Sequence, residues 1–574
     1  MIQPSYEAMS SSNTTNHSAS ASIINNEINE FPKNEQDEDL QFITSNTNHH
    51  DHDLEKGSIK PKSVREKIRD NEPVMLSDLD WDSPEDPGNP KNWSKPYRWF
   101  VTMVAAWMCL VVTFGSSLYT AGIFKIMAKF QVSQTLSLAG LTFYLVGLSL
   151  GPILGAPMSE ILGRKPVYMI SLPLSMLFVM GVGLSKNIGS ILVLRFFAGF
   201  FASPVMAIAG GTISDIWEVE MTGVAMSSFC LAPFAGPVLG PIIGGFAMVH
   251  KDWAWTQWIQ LFFSGAILPF VIILPETYKP AIMRKRAKQR GITIEKPKLT
   301  PLQMLKLLFV ITVARPLEMF VMEPIVIVLS LYTSLVFSIL FGFFEAYPVI
   351  FRGIYKMDGD ITGLTFLGIG VGLLISTAIY IYIDRTIYFP KNADGTRGKR
   401  DEKGNIIPSA PEAMLLPAKI GAPLLPIALF WQAWTAKNSV HWMAPIAAGA
   451  PFGMSLMLIF YSVLLYFTYS YPPIILASAL AANNLARYVL ASVFPLFTVQ
   501  MYQNLGVDWA SSLFGFIAIA MMPIPWIFTK YGPYLRKASK FNKQAAAQAA
   551  ASSTVEDAES IAELELSRTL SYRQ

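Results

Sequence analysis

About twelve apolar runs, each near the ~20 residues a helix needs to cross the hydrocarbon of a bilayer, occupy most of residues 99–530 and leave few other folds open. They lie near 99–121, 137–157, 167–185, 190–210, 223–246, 255–275, 320–343, 361–383, 415–435, 442–466, 476–500 and 510–530. Inside lipid every backbone polar group must be satisfied internally, so runs of this kind fold as helices. With 52% hydrophobic and only 15% charged residues, the 574-residue chain is too apolar for a string of soluble domains. The expected fold is an all-α membrane protein, with twelve transmembrane helices in two pseudo-symmetric six-helix bundles.

Charge placement divides and orients the chain. A long connection after the sixth run holds Lys279, Arg284, Lys285, Arg286, Lys288, Arg290, Lys296 and Lys298, and the eighth run is followed by Arg385, Lys391, Arg397, Lys399, Arg400 and Lys403. Loops of the other side are short and hold one or two basic residues, such as Lys125, Lys129, Lys186 and Lys437. Basic loops stay cytoplasmic, so both termini are expected there. The expected parts are a disordered tail 1–97, a first bundle 98–275, a basic linker 276–315, a second bundle 316–531 and a tail 532–574. The first 97 residues are polar and carry no apolar signal region, so the first span is expected to direct insertion. His49, His50 and His52 read as a solvated tail rather than a metal site, and the sequons at Asn13 and Asn16 are expected to stay unmodified. Cys109 and Cys230 lie in apolar runs and suggest neither a disulfide framework nor a metal site.

Glycines hint at a repeat. Gly147, Gly151 and Gly155 in the second run are echoed by Gly368, Gly370 and Gly372 in the eighth, and each run ends in a charged turn. Paired halves imply alternating access to a site near the membrane midplane. The fifth run, SFCLAPFAGPVLGPIIGG from Ser228 to Gly245, carries small residues Ser228, Ala232, Gly236, Gly240 and Gly244 on one helical face. Such a stripe lets another backbone approach closely. Pro233, Pro237 and Pro241 form a second stripe that removes amide donors, so a bent, buried helix is expected, with its seam placed where the two bundles move past each other.

Charged residues inside the runs are the candidates for function, since an intramembrane charge should face a partner or water. Arg195 lies in the fourth run; Glu323, one residue before a proline, opens the seventh and suits either a protonatable relay or an ion pair near the cytoplasmic edge. Arg487 and Asn483 share a face of the eleventh run, where Arg487 is expected to pair with a carboxylate from another helix. In the short loop after the second run, Glu160, Gly163, Arg164 and Lys165 suit a cytoplasmic gate. Phe337, Phe341, Phe344 and Tyr347, with Glu345, stripe the outer half of the seventh run as candidate contacts for a lipophilic cation. No metal-binding, nucleotide-binding or nucleophile motif is present, so the chain reads as no enzyme, and active transport would need an ion gradient.

On these residues the chain resembles the twelve-span drug:proton antiporters of the major facilitator superfamily, the fungal group that includes polyamine and multidrug exporters. The resemblance covers about residues 84–541. Its most specific part is the G-x-x-x-G-P-x-x-G-G pattern met by Gly236, Gly240, Pro241, Gly244 and Gly245, with Pro237 inside it; in that family this is the antiporter signature. Arg195 and Gly199 match a pattern the family ties to proton coupling. The loop pattern GxxxDRxGRR is met in part, with Gly163, Arg164 and Lys165 agreeing, Glu160 standing for the aspartate, and Ala156 and Ile161 replacing the first glycine and first arginine. The retained acid implies a contact with the start of the eleventh span. DPGNPKNWS, PETYKPAI at 275–282, ARPLEMFVMEPI at 314–325 and ASALAANNLARYVLASVFPLF at 477–497 match as well.

What the resemblance implies is a plasma-membrane, multi-pass proton antiporter that exports drugs, polyamines or other organic cations by alternating access. It would need no cofactor beyond a proton gradient. Its partners would be small lipophilic or cationic substrates, protons and the bilayer, without nucleic acid, and it would work as a monomer. Arg195 and Glu323 are the candidates for proton coupling. A nutrient uniporter or symporter, or a transporter-like sensor, is the rival expectation.

Overall fold

The computed structural model describes residues 73–295, 300, 303, 309–401, 406–407 and 409–544. Among these, eleven helical stretches are long and apolar enough to cross a membrane, and extended pairing is limited to three isolated bridges. The first six are α1 Lys95–Phe130, α2 Gln134–Leu162, α3 Arg164–Gly183, α4 Ile188–Ile216, α5 Val219–His250 and α6 Trp255–Ile273. A linker helix α7 Lys279–Gln289 and a short helix α8 Arg315–Met322 follow. The rest are α9 Pro324–Ile354, α10 Gly359–Tyr388, α11 Pro411–Thr435, α12 Met443–Ser470 and α13 Ile475–Ala538.

The last stretch has 64 residues. At ~1.5 Å per residue a straight rod of that length would be roughly three times the ~30 Å hydrocarbon thickness. It breaks at Gly506, whose φ of 78° and ψ of 160° are outside helical geometry and open to glycine because it lacks a Cβ. Phe494 and Phe514 then stack with ring centroids 5.5 Å apart, and the Tyr502 and Ser511 hydroxyls lie 2.9 Å apart. Along one straight helix those rings would sit ~30 Å apart. The chain therefore folds back at Gly506 into two legs.

The packing repeats. In the first half α1 packs on α5 and α6, while α2 packs on α4, and α3 on α4 and α6; in the second, α9 packs on α13, α10 on α12, and α11 on α12 and α13. Contacts between the halves follow the same relation, α2 with α13 and α5 with α10. Glycine makes the corresponding joints. A Cβ on Gly147 would stand 2.2 Å from the Phe196 carbonyl oxygen, and one on Gly199 2.2 Å from that of Tyr144, so α2 and α4 touch backbone to backbone. In the second half Gly368 and Gly372 stand in the same way 2.1 and 2.0 Å from the carbonyls of Ile446 and Ala450 on α12. Gly370, on another face, meets Val238 of α5.

Part of the stretch expected to be disordered is held against the linker. The Asp86 carboxylate takes two hydrogen bonds from Arg286, at 2.5 and 2.8 Å, and a third from the Gly88 amide at 2.7 Å. Asp82 pairs with Arg290 and Asp80 with Lys279, while the Arg286 guanidinium also lies over the Trp81 ring. Acidic residues before the first span thus meet the basic face of α7, a complementarity that the polar composition of the tail conceals. The Arg286 hydrogen bonds hold the Asp86 carboxyl well below the usual carboxylate range. Residues 1–72 and 545–574, with Asn13, Asn16, His49, His50 and His52, lie outside the described residues.

Candidate functional site

Where α5 of the first half meets the second, rings surround a buried guanidinium. Arg487 on the first leg of α13 is 6% exposed. Its Cζ lies 4.9 Å from the ring centre of Phe337 on α9, 4.8 Å from Phe460 on α12 and 5.1 Å from Tyr488. Phe234 of α5 closes the box from the first half, its ring 4.9 Å from Phe460 and 5.9 Å from Phe337. Phe234, Phe337, Phe460 and Arg487, with Thr333 and Leu456 among others, leave no space for a water molecule between them.

Arg487 was expected to find a carboxylate, and among the described residues it does not. Its hydrogen bond is donated to the Asn484 side-chain oxygen at 2.5 Å, and its Nε, buried, has no partner among the described residues. Ring faces take the place of the acid, since their negative quadrupole attracts a cation. Asn483 turns instead to α9, donating to Ser330 at 3.2 Å and Thr333 at 2.8 Å.

The aromatic stripe of α9 runs outward from this box. Phe337 and Phe341 are 5.0 Å apart, Phe341 and Phe344 5.1 Å, and Phe344 lines a cavity of about 150 Å³ between the halves. Thr120 and Phe124 of α1, Met248 of α5 and Arg352 of α9 line it too. Tyr347 is buried against Phe366, and Glu345 is buried with its carboxylate accepting a hydrogen bond from Gln134 of α2 at 3.1 Å. Of the stripe, Phe337 alone touches the guanidinium. The halves are also tied by Thr142 to the Ser492 carbonyl, 2.8 Å, by Tyr461 to the Ser227 carbonyl, 2.6 Å, and by an Arg400–Glu220 ion pair.

The glycine seam of α5 lies elsewhere than expected. Cβ atoms on Gly236, Gly240 and Gly244 would collide with Thr113, Ser117 and Ala121, all on α1 of the same half. The Ser117 hydroxyl donates across this joint to the Gly236 carbonyl at 3.1 Å. The next face of the helix meets the other half: Gly245 abuts the Gly359 carbonyl, and the Pro241 carbonyl abuts Gly363. Pro237 is buried, and α5 runs as one helix through Pro233, Pro237 and Pro241. The sequence periodicity marks a close-packed face but not which neighbour fills it, so the seam is an internal joint of one half and the bundle interface lies beside it.

Arg195 and Glu323 are both buried and are not brought together. Arg195 donates to the Gly140 carbonyl at 3.2 Å and the Gly115 carbonyl at 3.0 Å, and its guanidinium lies 4.4 and 4.2 Å from the Tyr119 and Tyr144 ring centres. It thereby joins α1, α2 and α4. Glu323 stands at the N-terminal boundary of α9 with its side chain turned away from the helix amides, accepting from Ser539 at 2.8 Å and from Tyr471 at 3.4 Å. Hydroxyls, not a basic side chain, hold it.

At the linker face Gly163 ends α2 with φ 102° and ψ 170°. The Glu276 carboxylate sits against it and accepts from the amides of Arg164, Lys165, Thr277 and Tyr278, at 2.9, 3.1, 3.0 and 2.9 Å. The Arg164 side chain pairs with Asp215 at 3.3 Å, donates to Ser159 at 2.7 Å and lies over the Tyr278 ring. Glu160 is exposed, with its carbonyl accepting from Arg284 at 3.0 Å. The turn therefore clamps α2, α3, α4 and the exit of α6 within one half.

Sequence reasoning missed Phe234, Phe460 and Tyr488 of the box, because single rings in apolar runs carry no periodic signal. Asp215 and Glu276 were readable: each is an acid at the end of an apolar run, and Glu276 sits in PETYKP beside the basic turn.

The description of the Major Facilitator Superfamily matches residues 105–495. Polyamine transporter 4 of Saccharomyces cerevisiae is 53% identical over 501 residues, covering 84% of this chain and 76% of the relative. The major facilitator superfamily multidrug transporter mdrA of Aspergillus fumigatus is 37% identical over 467 residues, covering 79% and 74%. Among solved structures, the proton:xylose symporter XylE aligns with a TM-score of 0.56 at 17% identity, covering 76% of this chain and 97% of that one, a likeness of fold.

Proposed function

Because the chain belongs to the Major Facilitator Superfamily, a group of transporters and not enzymes, we propose that it is a proton-coupled antiporter exporting drugs, polyamines or other organic cations across the plasma membrane. The observation that carries the cation reading is the box of Phe234, Phe337, Phe460 and Tyr488, which already receives a guanidinium on its ring faces at the junction of the halves. Rings that hold one cation suit another, and aromatic faces add stacking for flat cargo. The names of the relatives agree with such cargo.

In this reading the two legs of α13 are separate spans, twelve in all, with both termini cytoplasmic and the linker helix α7 between the bundles. Alternating access moves the box from one face to the other as the α2–α13 and α5–α10 contacts open in turn. The turn from Glu160 to Lys165 sets the cytoplasmic gate through the Arg164–Asp215 clamp. Glu323, held by hydroxyls at the inner end of α9, hands protons over on that side, and Arg195 fixes the first half while coupling proceeds. The carrier works as a monomer.

The test is efflux of spermidine and of an aromatic quaternary ammonium from cells with an imposed pH gradient, with Phe337→Ala and Phe460→Ala at matched surface expression. Both variants should slow efflux of the aromatic cation about five-fold to ten-fold, as expected when a ring contact worth ~1–1.4 kcal/mol is lost. Efflux indifferent to gradient and rings alike sinks the proposal.

A further inference from the structure

The box is full, and what fills it belongs to the protein. An arginine side chain is always charged and is normally buried only against a carboxylate. Arg487 has none among the described groups packed around it: one amide oxygen, from Asn484 one turn away, and three ring faces hold it, and its buried Nε goes unmatched. All three rings come from the second half, and Phe234 of the first half supplies the lid. Arg195 makes the instructive contrast. It too lies between two rings and leaves one buried nitrogen, Nη2, without a partner among the described residues, but it also donates to backbone carbonyls of two other helices, so it is fixed in place.

We propose that Arg487 is a tethered occupant of the aromatic box, holding the place of the organic cation, and that cargo binds by displacing its guanidinium. This rests on the reading of the box as the cargo site. Three observations support displacement. The packed groups leave no space beside the guanidinium, so cargo cannot simply be added. Two cations on the same rings would repel strongly in so dry a place. The long side chain has a flexible stem and, among the described residues, no ion pair to break. An empty carrier can then close around its own charge and return without cargo, while an arriving cation releases Arg487 and loosens the closed centre.

The experiment measures binding of benzyltrimethylammonium to the full chain, purified into lipid nanodiscs, by calorimetry. Arg487→Gln should bind it about ten-fold more tightly than the wild type, Arg487→Lys should gain less because a tethered charge remains, and Phe460→Ala should bind more weakly. If Arg487→Gln does not fold, Asn484→Ala removes the occupant's hydrogen bond to Asn484 and should tighten binding two- to three-fold. Unchanged or weaker binding by Arg487→Gln, or by Asn484→Ala if that variant stands in for it, overturns the inference. If Phe460→Ala still weakens binding in that case, the box stands as the cargo site; binding insensitive to Phe460 removes both readings together. Benzoate that binds the wild type and is lost in Arg487→Gln, with cation affinity unmoved, makes Arg487 an anion anchor and also overturns it.

Discussion

Replacing Gly240 with alanine tests the α1–α5 joint with a magnitude that follows from its geometry. The added methyl would stand 1.9 Å from the Ser117 hydroxyl oxygen and 2.7 Å from the Leu118 amide nitrogen. The hydroxyl can rotate away, but it then gives up its bond to the Gly236 carbonyl, a loss of about 1 kcal/mol. The backbone contact cannot rotate; easing it demands that two packed helices separate by about 0.7 Å, which belongs to overpacking costs of ~1–3 kcal/mol. Gly240→Ala should therefore lower stability by roughly 2–4 kcal/mol, and adding Ser117→Ala should return little of it, because the bond to the Gly236 carbonyl is lost in both variants and the contact with the α1 backbone remains. Gly265→Ala on α6 is the control, since nothing lies within 4 Å of its added methyl. It should be neutral or stabilise by up to ~1 kcal/mol through helix propensity. Thermal unfolding of the purified chain in detergent reads all four proteins. Equal stability of Gly240→Ala and Gly265→Ala would refute the reasoning, as would full recovery with Ser117→Ala.

Three further outcomes are expected. Arg195→Ala removes two charge-assisted hydrogen bonds and should reduce stability by roughly 3 kcal/mol; at matched surface expression it should also abolish gradient-driven efflux, and efflux at the wild-type rate would dismiss its coupling role. Glu276→Ala leaves four amides at the α2–α3 turn and α6 exit without their acceptor, so unfolding should come roughly 2–4 kcal/mol sooner, and an unshifted melting curve would show the clamp to be incidental. The lowered pKa of Asp86 means that its contribution is complete above the ordinary carboxylate value near ~4 and is lost only as pH falls through the lowered folded value. Hydrogen-exchange protection factors in α7, with the intrinsic pH dependence of exchange divided out, should accordingly be constant from pH 5 to 8 in the wild type and lower in Asp86→Asn across that range; a wild-type change in protection near neutrality would contradict the assignment.

Much of the fold was readable because lipid allows so few solutions: the runs, the halves and the paired glycines Gly147 and Gly368 follow from length and period. What failed was direction. A stripe such as Gly236, Gly240 and Gly244 announces close approach without naming the neighbour, so the seam was set between bundles when it faces α1. Arg487 could be seen as an anomaly, but beside its own neighbours Asn484 and Tyr488 its ring partners Phe460 and Phe337 lie 27 and 150 residues away along the chain. No spacing rule gathers them. A connection between the runs 476–500 and 510–530 was expected, but nothing in the sequence reading singled out Gly506 as the residue at which the chain turns.

The central claim is that cargo crosses between the halves in exchange for protons. Proteoliposomes of the full chain, prepared with an acid lumen and placed in neutral buffer containing labelled spermidine, test it directly. The account predicts accumulation of label above the external concentration, abolished when nigericin collapses the pH difference. Filling that stops at the external concentration and proceeds equally well with nigericin, or accumulation only when the lumen is alkaline, would contradict it.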